Sequence, residues 1–287
     1  MKLGVSIYSL NGAIRQGQMD VFQVLEWLKE QGAEHAEIVE LGFNLTETPE
    51  LADQIRDKAA SLELELSNYC IGANFAGLEE AAFEAEIERV KEHVDAAHRL
   101  GVKRMRHDTA SRPLHETGSE YFEKDFPKLV EACQRIADYA QQYDITTSVE
   151  NHGFYLQASE RVRRLVIAVN RPNFRTTLDV GNFICVDEPS LWAVQGNLPY
   201  ASMVHLKDFF VRPADLNPGE GWFRSLHGQY VRGAIVGQGD LPLRDIVRLV
   251  KQSGYDGYVS IEFEGMEDCL KGTRIALANS RRLWEEA

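Results

Sequence analysis

Four segments in the second half of the chain end in a group able to bind a divalent cation: Thr-Ser-Val-Glu150-Asn, Thr-Thr-Leu-Asp179-Val, Ser-Met-Val-His205-Leu and Val-Ser-Ile-Glu262-Phe. Three carboxylates and one imidazole make a mostly oxygen donor set. Such a set suits Mn²⁺ or Mg²⁺, and Co²⁺ and Zn²⁺ also satisfy it. Each candidate closes a short run with strand character, and the intervals fit one βα unit or one long loop. Alternation groups Ser148 with Glu150, Thr177 with Asp179, Met203 with His205 and Lys207, and Ser260 with Glu262 and Glu264. Val149, Leu178, Val204, Leu206, Val259 and Ile261 fall on the opposite face. In a barrel the apolar set packs on the outer helices and the polar set points to the axis. A carboxylate in that interior is costly unless paired or bound to metal. Any one of these residues alone reads as an ordinary ion-paired group; four on consecutive strands point to a shared cation.

The elements that must position them are predicted as eight strands, at about residues 3–8, 36–41, 64–70, 102–107, 146–150, 175–180, 201–207 and 258–263. Between them lie amphipathic helical segments near 20–31, 49–61, 79–100, 120–142, 159–169 and 243–253, a short helix after Pro189, and a last helix near 271–284. Repeated βα alternation over 287 residues, without a low-complexity linker, predicts an α/β single-domain (β/α)8 TIM barrel spanning 1–287. An open doubly wound sheet is the structural alternative. Residues 208–240 read as a long structureless β7–α7 loop carrying Phe209, Phe210, Trp222, Phe223, His227 and Tyr230. It is either an ornament packed on the rim or a lid or subunit contact.

A net charge of −13 repels phosphate backbones and anionic lipid, so neither nucleic acid nor membrane is expected as a partner. Cys70, Cys133, Cys185 and Cys269 form no CxxC pair, which argues for reduced thiols in a cytoplasmic protein. The first ten residues alternate like a strand and lack a signal peptide's apolar core, and no run has the length of a membrane-spanning helix.

In its motifs the chain resembles the sugar phosphate isomerase/epimerase group of xylose isomerase-like barrels. The matching pieces are Val-Glu150-Asn-His152-Gly, Leu-Asp179-Val-Gly181-Asn182, Val-His205-Leu-Lys207-Asp208, Gly237-Gln-Gly239-Asp240 and Gly254-Tyr255-Asp256-Gly257-Tyr-Val-Ser-Ile-Glu262. The resemblance implies that Glu150, Asp179, His205 and Glu262 bind one metal ion. It also implies that Glu150 and Glu262 exchange protons with the carbon beside a carbonyl, through an enediolate. His152 matches a position that meets substrate. Lys207 either holds a substrate oxygen or pairs with Asp208 or Glu264. Asn182 binds substrate or caps the turn after the sixth strand, and Glu264 is the second choice as a ligand. His107, His227, Trp222 and Arg232 are further substrate-pocket candidates, with a buried rim aromatic as the competing reading of Trp222.

The resembling family spans ketose epimerases, aldose–ketose isomerases, polyol dehydratases and DNA-repair endonucleases. The endonuclease branch carries an Asp-x-His motif before its Gly-x-Gly segment. Here that stretch reads Val231-Arg232-Gly233-Ala-Ile-Val-Gly237, and Asn182 stands where a further histidine is expected. Isomerase or epimerase action on a sugar or keto-polyol is the favoured reading. The alternative is a metal-dependent lyase that expels a β-substituent from a keto-inositol or keto-glycoside, with His152, His227 or Lys207 as the acid. A non-catalytic sugar- or metal-binding barrel comes third, because all four ligand candidates are kept. Gly237-Gln-Gly239 is no P-loop, and basic residues are scarce at the strand tips, so a neutral sugar fits better than a phosphate. Exposed aromatics in the long loop allow a homo-oligomer without requiring one.

Overall fold

The computed structural model describes residues 1–287. Its strands are β1 (Lys2–Ser6), β2 (His35–Val39), β3 (Glu65–Ile71), β4 (Arg104–His107), β5 (Thr146–Glu150), β6 (Phe174–Asp179), β7 (Ala201–Leu206), β8 (Asp208–Arg212), β9 (Phe223–Arg224), β10 (Tyr230–Ala234) and β11 (Tyr258–Ile261). β1 to β7 and β11 form a closed parallel barrel in which β11 fills the gap between β7 and β1. Leu3, Val5, Ile38, Val149, Leu178, Val204, Val259 and Ile261 are buried in the main core between barrel and helices. That is the burial their alternation dictates, and the polar residues between them are left facing the axis. Closure brings backbones together tightly: a Cβ on Gly4 would lie 2.1 Å from the His35 carbonyl oxygen, so only glycine fits there.

The helices are α1 (Asn11–Arg15), α2 (Val21–Glu30), α3 (Pro49–Ser61), α4 (Glu80–Leu100), α5 (Ser119–Ala140), α6 (Ser159–Val169), α7 (Ser190–Asn197), α8 (Leu243–Gln252) and α9 (Cys269–Glu286). Local chemistry sets several boundaries. Asp20 and Gln23 form a reciprocal capping box at the start of α2, and Pro49 occupies the first turn of α3. Gly101, at φ 84°, ends α4 in the left-handed conformation that favours glycine. The short α1, which follows a 3₁₀ turn at Ile7–Leu10, was not anticipated from sequence.

The segment 208–240 is not structureless. β8, β10 and β9 form a separate antiparallel three-stranded sheet in that order, with Val211 opposite Val231 and Val231 opposite Phe223. Two carboxylates moor it. Asp208 accepts N–H groups from Phe209, Gly237 and Gly239 at 2.9, 2.9 and 2.8 Å. Asp187 accepts from the Ser225 hydroxyl, the His227 N–H and the Gln229 amide at 2.6, 2.7 and 2.7 Å. The Gly237-Gln-Gly239 motif is thus a cradle for the chain's own Asp208. A Cβ on Gly239 would lie 2.2 Å from Asp208 Oδ1.

Candidate metal centre

Glu150 ends β5, Asp179 ends β6, His205 lies in β7, and Glu262 follows β11 directly. The β6–β7 register sets Asp179 beside His205, and the β11–β7 register sets Ser260 beside it, one alternation below Glu262. One ligand atom from each of the four residues lies within 4.8 Å of all the others, and all four residues are buried. His205 Nδ1 is 3.9 Å from Glu150 Oε1, 4.0 Å from Asp179 Oδ2 and 3.8 Å from Glu262 Oε2. These separations exceed hydrogen bonds and leave room for an ion at their centre.

Whether the residues suit a cation can be judged from their partners. Asp179 Oδ2 and His205 Nδ1 are buried without a hydrogen-bond partner. Orphaned buried acceptors are costly, and a cation would satisfy both at once. The other atoms of these groups are spoken for. Asp179 Oδ1 accepts the N–H groups of Gly181 and Asn182, each at 2.8 Å. The Asn151 amide clamps the Asp179 backbone, accepting from its N–H at 2.9 Å and donating to its carbonyl at 2.8 Å. His205 Nε2 lies 2.8 Å from Glu37 Oε2 on β2, and Glu37 Oε1 accepts from Asn68 and Cys70 at 2.9 and 2.7 Å. In the neutral imidazole with Nε2 donating to Glu37, the lone pair lies on Nδ1, the atom nearest the other three groups. This is the carboxylate–histidine arrangement that orients metal ligands. The residues present therefore fit a divalent cation.

The surrounding charges sort the carboxylates. Burial pushes Glu150 up to about 7 against the opposing pull of Arg106, whose Nε is 3.1 Å from Glu150 Oε2. Burial also raises Asp179, against Lys207. For Glu262 burial acts the same way, but Lys207 and His205 outweigh it and hold the carboxyl well below its ordinary range. Burial favours the neutral form of Lys207, yet Glu262 and Glu264 override it and keep the ammonium charged. Lys207 Nζ stands 2.7 Å from Glu262, 2.9 Å from Glu264 and 3.5 Å from Asp179. Burial opposes charging of Glu37 too, but His205 prevails and Glu37 titrates at about 2.

A cavity of about 280 Å³ opens onto this cluster, with Glu150, Glu262, Lys207, Glu264 and His152 among its walls. His152 is exposed at its edge. Asn182 is buried and joins two site residues, donating to Glu150 Oε1 at 3.1 Å and accepting from Lys207 at 3.3 Å. Lys207 pairs with Glu264; Asp208 is occupied by the glycine cradle.

His107 is not brought to the cavity. The β4–β5 register aligns Arg106 with Ser148, so Arg106 and Asp108 point inward and His107 points out, packed edge-on to Phe75 and near Phe174. Trp222, His227 and Arg232 also lie away from its walls. Trp222 is flanked by the guanidinium groups of Arg212 and Arg232, each 5.5 Å from its ring, and His227 is exposed and moored through its backbone. The structure adds groups that sequence reasoning passed over: Tyr8, Glu40, Cys70, Arg106 and Asp108 in the wall, and Glu37 behind His205. Arg104–His107 is polar on both faces at its tip, so only its pairing with β5 marks Arg106 as inward. Nothing local marked Glu37, whose partner is 168 residues away.

Residues 25–286 match the xylose isomerase-like TIM barrel family, and the chain belongs to it. Among curated relatives, the inosose dehydratase of Bacillus licheniformis is 24% identical over 259 residues, 84% of this chain and 83% of that protein. D-psicose 3-epimerase from Clostridium cellulolyticum H10, solved with D-tagatose, superposes with a TM-score of 0.73 at 14% identity over 99% of each chain. The IOLI protein, solved with a bound zinc atom, superposes with a TM-score of 0.72 at 17% identity, over 100% of this chain and 97% of that one.

Proposed function

We propose that the protein is a divalent-metal-dependent isomerase or epimerase that moves a proton beside the carbonyl of a sugar or keto-polyol. One observation carries this reading: two glutamates from non-adjacent strands, Glu150 and Glu262, share one buried centre and one cavity wall. Glu150, Asp179, His205 and Glu262 would hold the ion, Mn²⁺ or Mg²⁺ by their donor set. When bound, it supplies a Lewis acid that polarises the substrate carbonyl. Of the two glutamates, one takes the proton from the carbon beside the carbonyl and the other returns a proton to the neighbouring carbon or to the opposite face. Lys207 presents an ammonium to the oxygen on which negative charge develops, and Asn182 holds Lys207 and Glu150 in mutual register. Free thiols at all four cysteines support the expectation of a cytoplasmic protein.

The test is deuterium incorporation from D₂O into a panel of ketoses and keto-polyols with metal-loaded protein. Exchange at the carbon beside the carbonyl is expected, and a panel with neither exchange nor product rejects the reading. A second reading, β-elimination, is favoured by the sequence similarity to an inosose dehydratase. It requires an acid over the leaving group, a role that His152 or Lys207, both in the cavity wall, would fill. An unsaturated product formed without isomer would select it.

A further inference from the structure

The cavity at the metal centre has a neighbour with which it shares two wall residues. Tyr8 and Glu264 line it and also line a second, larger cavity of about 400 Å³. This second space lies between the loop after β1 and the loop after β11, strands that pair directly in the barrel. It therefore opens at the same end of the barrel as the metal ligands.

The chemistry of the larger cavity is specific. Asn11, Gln16 and Gln18 supply amides to its wall, and no lysine or arginine lines it. Its carboxylates are already engaged. Glu264 is paired with Lys207 at 2.9 Å, Glu267 with Arg232 at 3.5 Å, and Asp268 accepts the Lys271 N–H at 2.8 Å to cap α9. A phosphate or uronate placed there would meet carboxylates and no cation. Hydroxyl groups would meet amides and carboxylate oxygens, which can donate to and accept from them. Asn11 Oδ1 has no hydrogen-bond partner in the chain, so turning that amide toward a ligand breaks no internal bond. The smaller cavity, at about 280 Å³, falls just short of the usual range for small-molecule sites, and the larger one beside it, at about 400 Å³, has room for a further ring.

We propose that the larger cavity is a subsite for a second, uncharged sugar unit, so that the substrate is a ketose or keto-sugar carrying a neutral glycosyl substituent. The assignment rests on the proton-transfer reading above only for the carbonyl-bearing end.

Binding measured without turnover tests it. Mg²⁺-loaded full-length protein is titrated with D-fructose, with D-fructose 6-phosphate, and with four glycosyl-fructoses differing in linkage: turanose, lactulose, leucrose and isomaltulose. At least one disaccharide is expected to bind about tenfold or more tightly than D-fructose, and the phosphate no more tightly. Cys269, half-buried in the wall of the larger cavity, offers a place to block it. Cys269→Trp is expected to erase the disaccharide advantage, and Asn11→Ala to reduce it severalfold. Four disaccharides that bind no better than D-fructose, or an advantage that survives both variants, overturn the subsite. Deuterium exchange separates this result from the function reading. Exchange into D-fructose without a disaccharide advantage rejects the subsite alone. A disaccharide advantage lost in the variants, without exchange into any ketose, upholds the subsite and rejects proton transfer.

Discussion

Glu37→Gln changes no atom within reach of the substrate, yet it is expected to weaken cation binding about ten- to a hundredfold, or roughly 1.4–2.7 kcal/mol. Glu37 accepts on both oxygens, from His205 Nε2 at 2.8 Å on one and from Asn68 and Cys70 at 2.9 and 2.7 Å on the other. Glutamine can reproduce only one side. With its carbonyl toward His205, its NH₂ faces the Asn68 amide hydrogens. Turned over, its NH₂ faces His205 and favours the tautomer protonated on Nδ1, the atom aimed at Glu150, Asp179 and Glu262. Either way a charge-assisted bond, about twice as strong as a neutral one, is lost. The assay is calorimetric titration of Mn²⁺ into metal-free protein, with a thermal melt to show that the nearly isosteric variant still folds. Wild-type Mn²⁺ affinity in a folded Glu37→Gln protein would refute the idea that this carboxylate orients the imidazole.

Three other outcomes follow from the geometry. Lys207→Met should retain the metal, because Lys207 competes for Glu262 and Asp179, while kcat falls by about a hundredfold through loss of the oxyanion partner; loss of metal stoichiometry would contradict this. Asp125 is buried, which opposes ionisation, but bonds from Arg112 at 2.6 Å and Tyr155 at 2.7 Å prevail and hold it below its ordinary 3.8. Its stabilising contribution is complete above that ordinary value and fades as pH falls through the lower folded one. Asp125→Asn should therefore cost about 2–3 kcal/mol at neutral pH, with the gap narrowing below about pH 4, as read by urea unfolding; a pH-independent gap would sink that reasoning. Gly239→Ala forces a Cβ to within 2.2 Å of Asp208 Oδ1 and should destabilise by about 1–3 kcal/mol. Hydrogen exchange should quicken first in β8 and β10, and an unchanged pattern would show that the cradle does not moor the sheet.

The second half of the barrel was legible because the last residues of its strands alternate. Val149, Leu178, Val204 and Ile261 mark the helix-facing side, so Glu150, Asp179, His205 and Glu262 could only converge. Where alternation fails, the reading fails. Arg104–His107 is Arg-Met-Arg-His, polar on both faces at its tip, and only pairing with β5 decides that Arg106 enters the cavity and His107 does not. The sheet of β8, β9 and β10 went unseen because the polar run Pro-Ala-Asp-Leu-Asn-Pro-Gly-Glu-Gly between its strands masks a ladder joining distant residues. Beside that sheet, Trp222 and Arg232 meet each other and Arg212 away from the cavity. Glu37 was invisible for a different reason: its role exists only when the barrel closes and carries β2 across to β7.

The most direct measurement is anomalous diffraction from a crystal grown with Mn²⁺. One peak is expected within about 2.0–2.3 Å of Glu150, Asp179, Glu262 and His205 Nδ1, and none in crystals of the Glu150→Gln, Asp179→Asn double variant. No peak among those four groups in the wild-type protein, or the same peak in the double variant, would contradict a metal centre built from them.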